Sequence, residues 1–369
     1  MMSAKTTGSR QDRSPEARRG RGALSNRAGR FEKRRVEPPE EPPDPYTDDD
    51  PPPLRTTVTP ETTRSIISTN DSPDIPFDQS INPYRGCEHG CVYCFARPTH
   101  AYLGLSPGLD FETRLFSKPE APRLLREELR RRGYRCQTIA LGSNTDPYQP
   151  IERRLGITRQ ILEVLAEHRH PVSLVTKSDL VLRDVDLIAA MARQRLACVL
   201  ISVTTLDRTL ARRMEPRAPS PPRRLQAIEA LAGAGVPVGV LASPMIPGLN
   251  DPELEAILAA AAGAGAHSAG YVLLRLPLEI KDLFREWLEK HEPLKAGRVL
   301  SLVRDTRGGR LYDSTYGARM RGVGPYAELL RQRFAVACRQ HGLRLRPEPL
   351  DVSRFVVPPR PGEQMRLFS

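Results

Sequence analysis

From about Ile75 the chain alternates short apolar runs with amphipathic stretches of helical spacing, the pattern of βα units around a parallel sheet. The apolar runs predict strands at 137–142 (QTIALG), 172–176 (VSLVT), 197–204 (ACVLISVT), 236–242 (VPVGVLA) and 269–275 (AGYVLLR), with a first strand near 80–86. Between them, Ile157, Ile161, Leu162 and Leu165 make one apolar helix face, and Val185, Leu187, Ile188 and Met191 make the next. A further helix runs from about Ser220 through LQAIEALAG and stops at Gly233 or Gly235, immediately before an apolar run. The count is about six βα repeats. A closed eight-stranded barrel is not available, because the chain turns helical and basic after about 279. The fold class predicted is α/β, a partial (βα)6 barrel with a C-terminal helical extension and a disordered N-terminal arm.

The flanks differ in composition. Residues 1–60 read as disordered: a basic Arg/Gly/Ser arm, then EPPEEPPDPYTDDDPPPL, whose proline density forbids helix and whose charge blocks offer no core. The core spans 75–285, the helical extension 286–343, and 344–369 is a Pro-rich tail. No apolar run approaches the roughly 18 residues of a membrane helix, and the basic N-terminus has no apolar stretch of a secretory signal. A cytoplasmic location is the expectation. Residues 1–35 hold 11 Lys or Arg against 3 acids and residues 36–53 hold 7 acids and no base, so +11 of the net +12 falls on residues 54–369. The body is basic in its own right, which favours an anionic partner such as DNA.

Six cysteines in 369 residues are too few for a disulfide scaffold, and three of them fall within eight positions. In NPYRGCEHGCVYCFARPTH, Cys87, Cys91 and Cys94 are spaced C-x3-C-x2-C, with Gly86 and Gly90 to relieve the backbone of a tight loop. Three thiolates hold three corners of a [4Fe-4S] cluster and leave one iron open to an outside ligand. Cys136 and Cys198 sit at strand starts, the opposite edge of a parallel barrel, and Cys338 lies in a C-terminal helix. The competing reading is a zinc-stabilised nucleic-acid-binding protein without turnover, with His89 or His100 as the fourth zinc ligand. The unequal spacing, the aromatics Tyr93 and Phe95 on either side of Cys94, and the position after the first of six strands argue against it.

With these features the sequence resembles the radical S-adenosylmethionine (SAM) superfamily over residues of about 80 to 285. Within it the chain looks most like the spore photoproduct lyase relatives, often described as DNA repair photolyase-like proteins. The segments that carry the likeness are GCEHGCVYCFARPTH, LGSNTDPYQPIE, LVTKSDLVLRDVDL, ISVTTLD and MEPRAPSPPRRLQAIEALAGAGVPVGVLASPMIPGLND. The resemblance implies a [4Fe-4S] cluster, SAM bound by its amine and carboxylate to the open iron, an electron donor such as flavodoxin or ferredoxin, and a lyase-like or transferase-like reaction begun by hydrogen abstraction. Nucleic acid is the expected substrate class, with a peptide or small molecule as the alternative.

Ligands of parallel barrels collect at the C-terminal strand ends. There the resemblance assigns Ser143, Asn144 and Thr145 to the methionyl amine, Lys177 and Arg217 to its carboxylate, Ser202 to a ribose hydroxyl, and the backbone at Ala242 and Ser243 to the adenine. Tyr148, Gln149 and Glu152 read as substrate-facing, with an ion pair of Glu152 to Arg153 or Arg154 as the plainer role. Arg275 and Pro277 end strand six on the same rim. No residue is assigned as catalytic. One departure matters: spore photoproduct lyases place a hydrogen-donating cysteine at the end of strand two and two tyrosines around the last cluster cysteine. Here Ser143 takes the cysteine's place and Phe95 replaces one tyrosine. A serine O–H bond is too strong to quench a carbon radical, so the departure implies another substrate.

The closing residues RPGEQMRLFS contain Gln364, Leu367 and Phe368 in the spacing Q-x-x-L-F. This resembles the peptide by which bacterial repair proteins dock on the DNA sliding clamp, two adjacent apolar anchors on a Pro-rich tether.

Overall fold

The computed structural model describes residues 20–32 and 54–359. Ten strands appear in it: β1 Thr57–Pro60, β2 Ile67–Thr69, β3 Gln79–Ile81, β4 Tyr84–Arg85, β5 Arg114–Ser117, β6 Ile139–Leu141, β7 Val172–Thr176, β8 Ala197–Ser202, β9 Val238–Met245 and β10 Ser268–Leu273. Strands β3, β6, β7, β8, β9 and β10 pair in that order, each parallel to the next, and β2 adds antiparallel to β3. This is the six-repeat open barrel that the apolar runs predict. The helix Ile157–Glu167 buries Ile157, Ile161, Leu162 and Leu165, and Val185–Ala192 buries Ile188 and Met191. Ser220 sits at the N-cap of Pro221–Gly233, where proline in the first turn costs no hydrogen bond.

The first strand is not one strand. Asn82-Pro83 interrupts it, because proline has no N–H to give a ladder, and β4 leaves the barrel for a small sheet of order β1-β5-β4. There β4 pairs antiparallel with β5, Tyr84 opposite Ser117 and Arg85 opposite Phe116, so the entry to the cysteine loop is anchored on a strand that follows it in the chain. At the other extreme β9 runs to Met245 rather than ending at 242, since Ala242 and Met245 still pair with Tyr271 and Leu273 of β10. Ala242 and Ser243 therefore lie inside a strand rather than after it.

Two boundaries shift. Residues 20–32 and 57–60, read from composition as part of a disordered arm, pack on the body: Arg21, Ala23 and Leu24 are buried and 57–60 form β1. The division at 285/286 falls inside the helix Ile280–His291, whose Phe284, Trp287 and Leu288 share a buried cluster with Cys91, Val92 and Tyr93. That helix belongs to the cysteine loop's support as much as to an extension. Among the described residues no helix is long and apolar enough to cross a membrane.

Beyond Leu343 the chain crosses the N-terminal ends of the strands. Phe355 packs against Tyr134 (5.5 Å) and His170 (5.4 Å), and the Tyr134 hydroxyl lies 2.7 Å from His170 Nε2. Burial, with the nearby His168 charge, lowers the His170 pKa from 6.5 to about 4 against the opposing effect of the Pro171 carbonyl. Between those values the unfolded chain takes up a proton and the folded chain does not, so stability is expected to fall as pH drops through this window, by about 3 kcal/mol in full. Urea unfolding at the two ends of the window checks this, and in His170→Phe the difference should shrink.

Candidate functional site

The cysteine loop starts where β4 ends. Gly86 and Gly90 both take positive φ, 76° and 67°, conformations that L side chains rarely adopt. The Cys87 amide donates to the Phe111 carbonyl (3.0 Å), the Val92 amide to Met214 (3.0 Å) and the Cys94 amide to Cys91 (3.2 Å). Arg97, fully buried, donates from Nε to the Cys91 carbonyl (2.9 Å), from Nη1 to Pro107 and Gly108, and pairs through Nη2 with Glu112. Gln149 ties the first turn: its amide donates to the Gly86 carbonyl (3.1 Å) and its Oε1 accepts from the Glu88 amide (2.9 Å).

Cys87 and Cys91 are buried and Cys94 is half-buried, all as free thiols. Burial pushes the Cys87 thiol well up, and Asp146 and the other two thiols raise it further. Burial likewise raises Cys91, against the pull of Lys177. Such a set favours thiolate only when positive charge arrives among the sulfurs, which is what a cationic iron core supplies. Among the described residues no three His, Cys, Asp or Glu side chains converge as a single metal ion requires. Of the histidines named for zinc, His100 places Nε2 2.9 Å from the Arg114 carbonyl with its ring edge-on to Phe111 and leaves Nδ1 buried without a hydrogen-bond partner, and His89 Nδ1 lies 3.3 Å from Asp146 Oδ2. Three thiols within eight positions suit a cluster that takes three protein ligands and leaves one iron open.

Around this loop the strand ends bring up most of the residues assigned from the sequence. Asn82, after β3, donates to Ser143 Oγ (3.1 Å) and accepts from the Asn144 amide (2.8 Å), which fixes the turn after β6. Thr145 is buried and its hydroxyl donates to the Gly86 carbonyl (2.7 Å), so it serves the cysteine loop. Asp146 accepts from the Thr176 hydroxyl (2.6 Å) and the Lys177 amide (2.8 Å). Burial alone would raise the Asp146 pKa, but His89 and these donors outweigh it and bring it to about 2. With its backbone pinned, Lys177 points Nζ over the Tyr93 ring, 5.8 Å from the centroid. Among the described residues no carboxylate lies within 4 Å of that ammonium. Ser202 ends β8, its carbonyl accepting from Arg224 (3.1 Å). Arg217 pairs with Glu88 at 3.1 Å, one position past Cys87.

Three residues read as substrate-facing are not. Tyr148 is buried and donates to Asp184 Oδ2 (3.1 Å), and Gln149 is spent on the cysteine loop. Glu152 pairs with Arg183 at 2.7 Å rather than with Arg153 or Arg154, and it also accepts from Tyr84 and the Thr158 amide. Missing from the sequence reading is a buried network behind Cys94: the Tyr93 hydroxyl and Thr204 donate to Glu215, which pairs with Arg224. The only signal is MEPRAPSPPRR, a charged, Pro-rich run that links the helix Arg208–Met214 to the helix Pro221–Gly233.

Residues 81–261 match the Radical SAM superfamily. An uncharacterized protein of Mycobacterium tuberculosis is 38% identical over 288 residues, 77% of this chain and 81% of that protein. The chain belongs to the radical SAM superfamily. An uncharacterized protein of Methanocaldococcus jannaschii is 31% identical over 173 residues, 47% of this chain and 62% of its own length. Among solved structures, a mutant of spore photoproduct lyase superposes with a TM-score of 0.57 at 17% identity, covering 78% of this chain and 80% of that one. Another, with bound AdoMet and dinucleoside spore photoproduct, gives 0.56 at 16% over the same shares. These superpositions establish the shared fold. Family membership implies an enzyme with a [4Fe-4S] cluster and SAM; Cys87, Cys91 and Cys94 would hold the cluster, which would supply the electron for reductive cleavage of SAM.

Proposed function

We propose that this radical SAM enzyme acts on nucleic acid, with Cys87, Cys91 and Cys94 holding the cluster and Lys177 pairing with the SAM carboxylate. Asn144, Ser143, Ser202 and the Ala242–Ser243 backbone complete the SAM pocket in this reading. Arg217 and Thr145 act instead through the cysteine loop they hold. Lys177 carries the carboxylate role best, as a cation without an acidic partner within reach among the described residues, beside the thiols.

The observation that carries the substrate class is a pair at the rim. Phe95, next to Cys94, keeps 46% of its surface exposed, and the Arg275 guanidinium lies 5.0 Å from its ring centroid beyond the end of β10. Among the described residues no carboxylate lies within 4 Å of Arg275, and its buried Nε has no hydrogen-bond partner. An exposed ring beside a guanidinium free of acids offers a base its stacking face and a phosphate its counter-charge. The basic body adds long-range attraction. The spore photoproduct lyase structures include a complex with dinucleoside spore photoproduct. With Ser143 Oγ engaged by Asn82 and no thiol in that place, the reaction is read as one whose product radical is not quenched by a cysteine there.

Fluorescence anisotropy with single-stranded and duplex DNA across a salt series tests this on anaerobically reconstituted protein. Binding should weaken steeply with salt, Arg275→Ala should lower the salt slope by about 1, and Phe95→Ala should cost about 1–3 kcal/mol. Absent or salt-insensitive binding overturns the reading in favour of a peptide or small molecule. Gln364, Leu367 and Phe368 lie outside the described residues. Their docking on a DNA sliding clamp, and reduction by a flavodoxin or ferredoxin, belong to the same reading.

A further inference from the structure

We propose that the segment Gly20–Glu32 is a working part of the cluster site, a strap that holds the three-cysteine loop in its ligating shape. It reaches the loop at three points. Glu112 is fully buried and accepts from the Gly22 amide at Oε2 (3.0 Å) and the Ala23 amide at Oε1 (2.8 Å) while pairing with Arg97. Arg97 in turn holds the Cys91 carbonyl (2.9 Å), so the strap's amides complete the partners of the carboxylate that aims Arg97. Arg21 donates to the Glu112 carbonyl (2.9 Å), the Leu54 carbonyl (2.6 Å) and Thr56 Oγ1 (3.1 Å), and Thr56 donates to Glu88 (2.7 Å), the residue after Cys87. Gly22 lies flat on the carbonyl of Gly90, the residue before Cys91: a Cβ at position 22 would stand 1.7 Å from that oxygen.

The rest of the strap is tied to the helix after β10. Ser25 donates to Glu286 (2.7 Å), Arg27 pairs with the same carboxylate, and Arg30 pairs with Glu279 at 3.5 Å. Glu286 belongs to the helix after β10, the helix whose Trp287 packs in the cluster with Cys91 and Tyr93. The strap thus joins the loop that follows β3 and β4 to the element that follows β10, the first and last members of the six-stranded series. An open barrel has no strand pairing between those two, and the strap supplies a polar tie in its place. Buried groups that orient metal ligands govern how tightly the metal is held.

The assignment makes Glu112, Arg21 and Gly22 positioning residues, independent of which substrate is turned over. Gly22→Val, Glu112→Gln and Arg21→Met, reconstituted anaerobically beside wild type, are to be compared for iron per chain, for the rate of iron loss to a chelator, and for the electron paramagnetic resonance spectrum of the dithionite-reduced protein. Ile188→Ala, a core change remote from the loop, serves as a control for stability alone. Loss of iron at least about 10-fold faster than in wild type, with an altered spectrum, in variants whose apoproteins melt no lower than Ile188→Ala, is the expected result. Should Gly22→Val fail to fold, Arg21→Met carries the same comparison. Iron loss and spectra matching the Ile188→Ala control would overturn the assignment and leave the strap as ordinary packing.

Discussion

Cys91→Ala is expected to come out of anaerobic reconstitution colourless, its iron falling from about four per chain to background, while Cys136→Ala, Cys198→Ala and Cys338→Ala stay brown with iron unchanged. The first outcome follows from how completely the loop is built around its thiols. The Cys91 carbonyl is held by Arg97, its neighbour Val92 is tied to Met214, and the side chain sits in a buried cluster with Trp287. A loop so fixed has no second sulfur to offer in exchange. The second outcome follows from where the other three lie. Cys198 opens β8 and donates to Ser173 on β7 (3.4 Å), at the end of the sheet opposite the loop. Cys136 precedes β6 near Tyr134, whose pKa is raised by burial first and by Cys136 second, and Cys338 is buried in the helix Gly324–Gln340. Iron loss in any of these three would overturn the ligand assignment. A colourless wild type holding one zinc would overturn the cluster.

The barrel and the cysteine loop are legible in the sequence because both leave local marks. A buried parallel strand such as Val172–Thr176 must be apolar along its length and a covering helix must repeat its apolar residues near every third or fourth position, so periodicity finds them. A three-thiol loop writes its ligands within eight positions. The residues that went astray are those whose partners are remote. Glu152 meets Arg183 and Tyr84 through the turn geometry of three separate units, not through Arg153 or Arg154 beside it. Thr145 and Gln149, ordinary turn residues by type, turn inward to the Gly86 carbonyl. The strap is the extreme case: glycine, arginine and serine read as disorder by composition, yet Gly22 is required by a backbone 68 positions on, and Glu112 by amides about 90 positions earlier. Hydrogen bonds across such separations have no period to detect. Where the polar residues of this chain do cluster, as in SNTD after β6, strand-end logic puts them beside the cysteine loop, and the fold shows that Thr145 bonds that loop.

Arg224→Met should cost about 3–5 kcal/mol of stability, the loss typical when one partner of a buried ion pair is removed, and lower the melting temperature by about 5 °C. Arg224 and Glu215 are both buried and paired. Arg224 also donates to the Pro219 carbonyl (2.8 Å) and the Ser202 carbonyl (3.1 Å), so its loss strands two carbonyls as well as a carboxylate. Glu215 keeps the Tyr93 and Thr204 hydroxyls, which stabilise the charge but do not cancel it. The penalty lies in the unpaired charge more than in the missing attraction. For that reason adding Glu215→Gln to Arg224→Met should recover more than half of the loss, as measured by urea unfolding of the apoproteins. Neutralising the acid also loosens the partner of the Tyr93 hydroxyl, next to Cys94, so the double variant should regain stability while its reduced cluster keeps an altered paramagnetic spectrum. A single variant within about 1 kcal/mol of wild type would mean that the pair is offset by its own desolvation, and the network behind Cys94 would then hold Tyr93 in place without holding the fold.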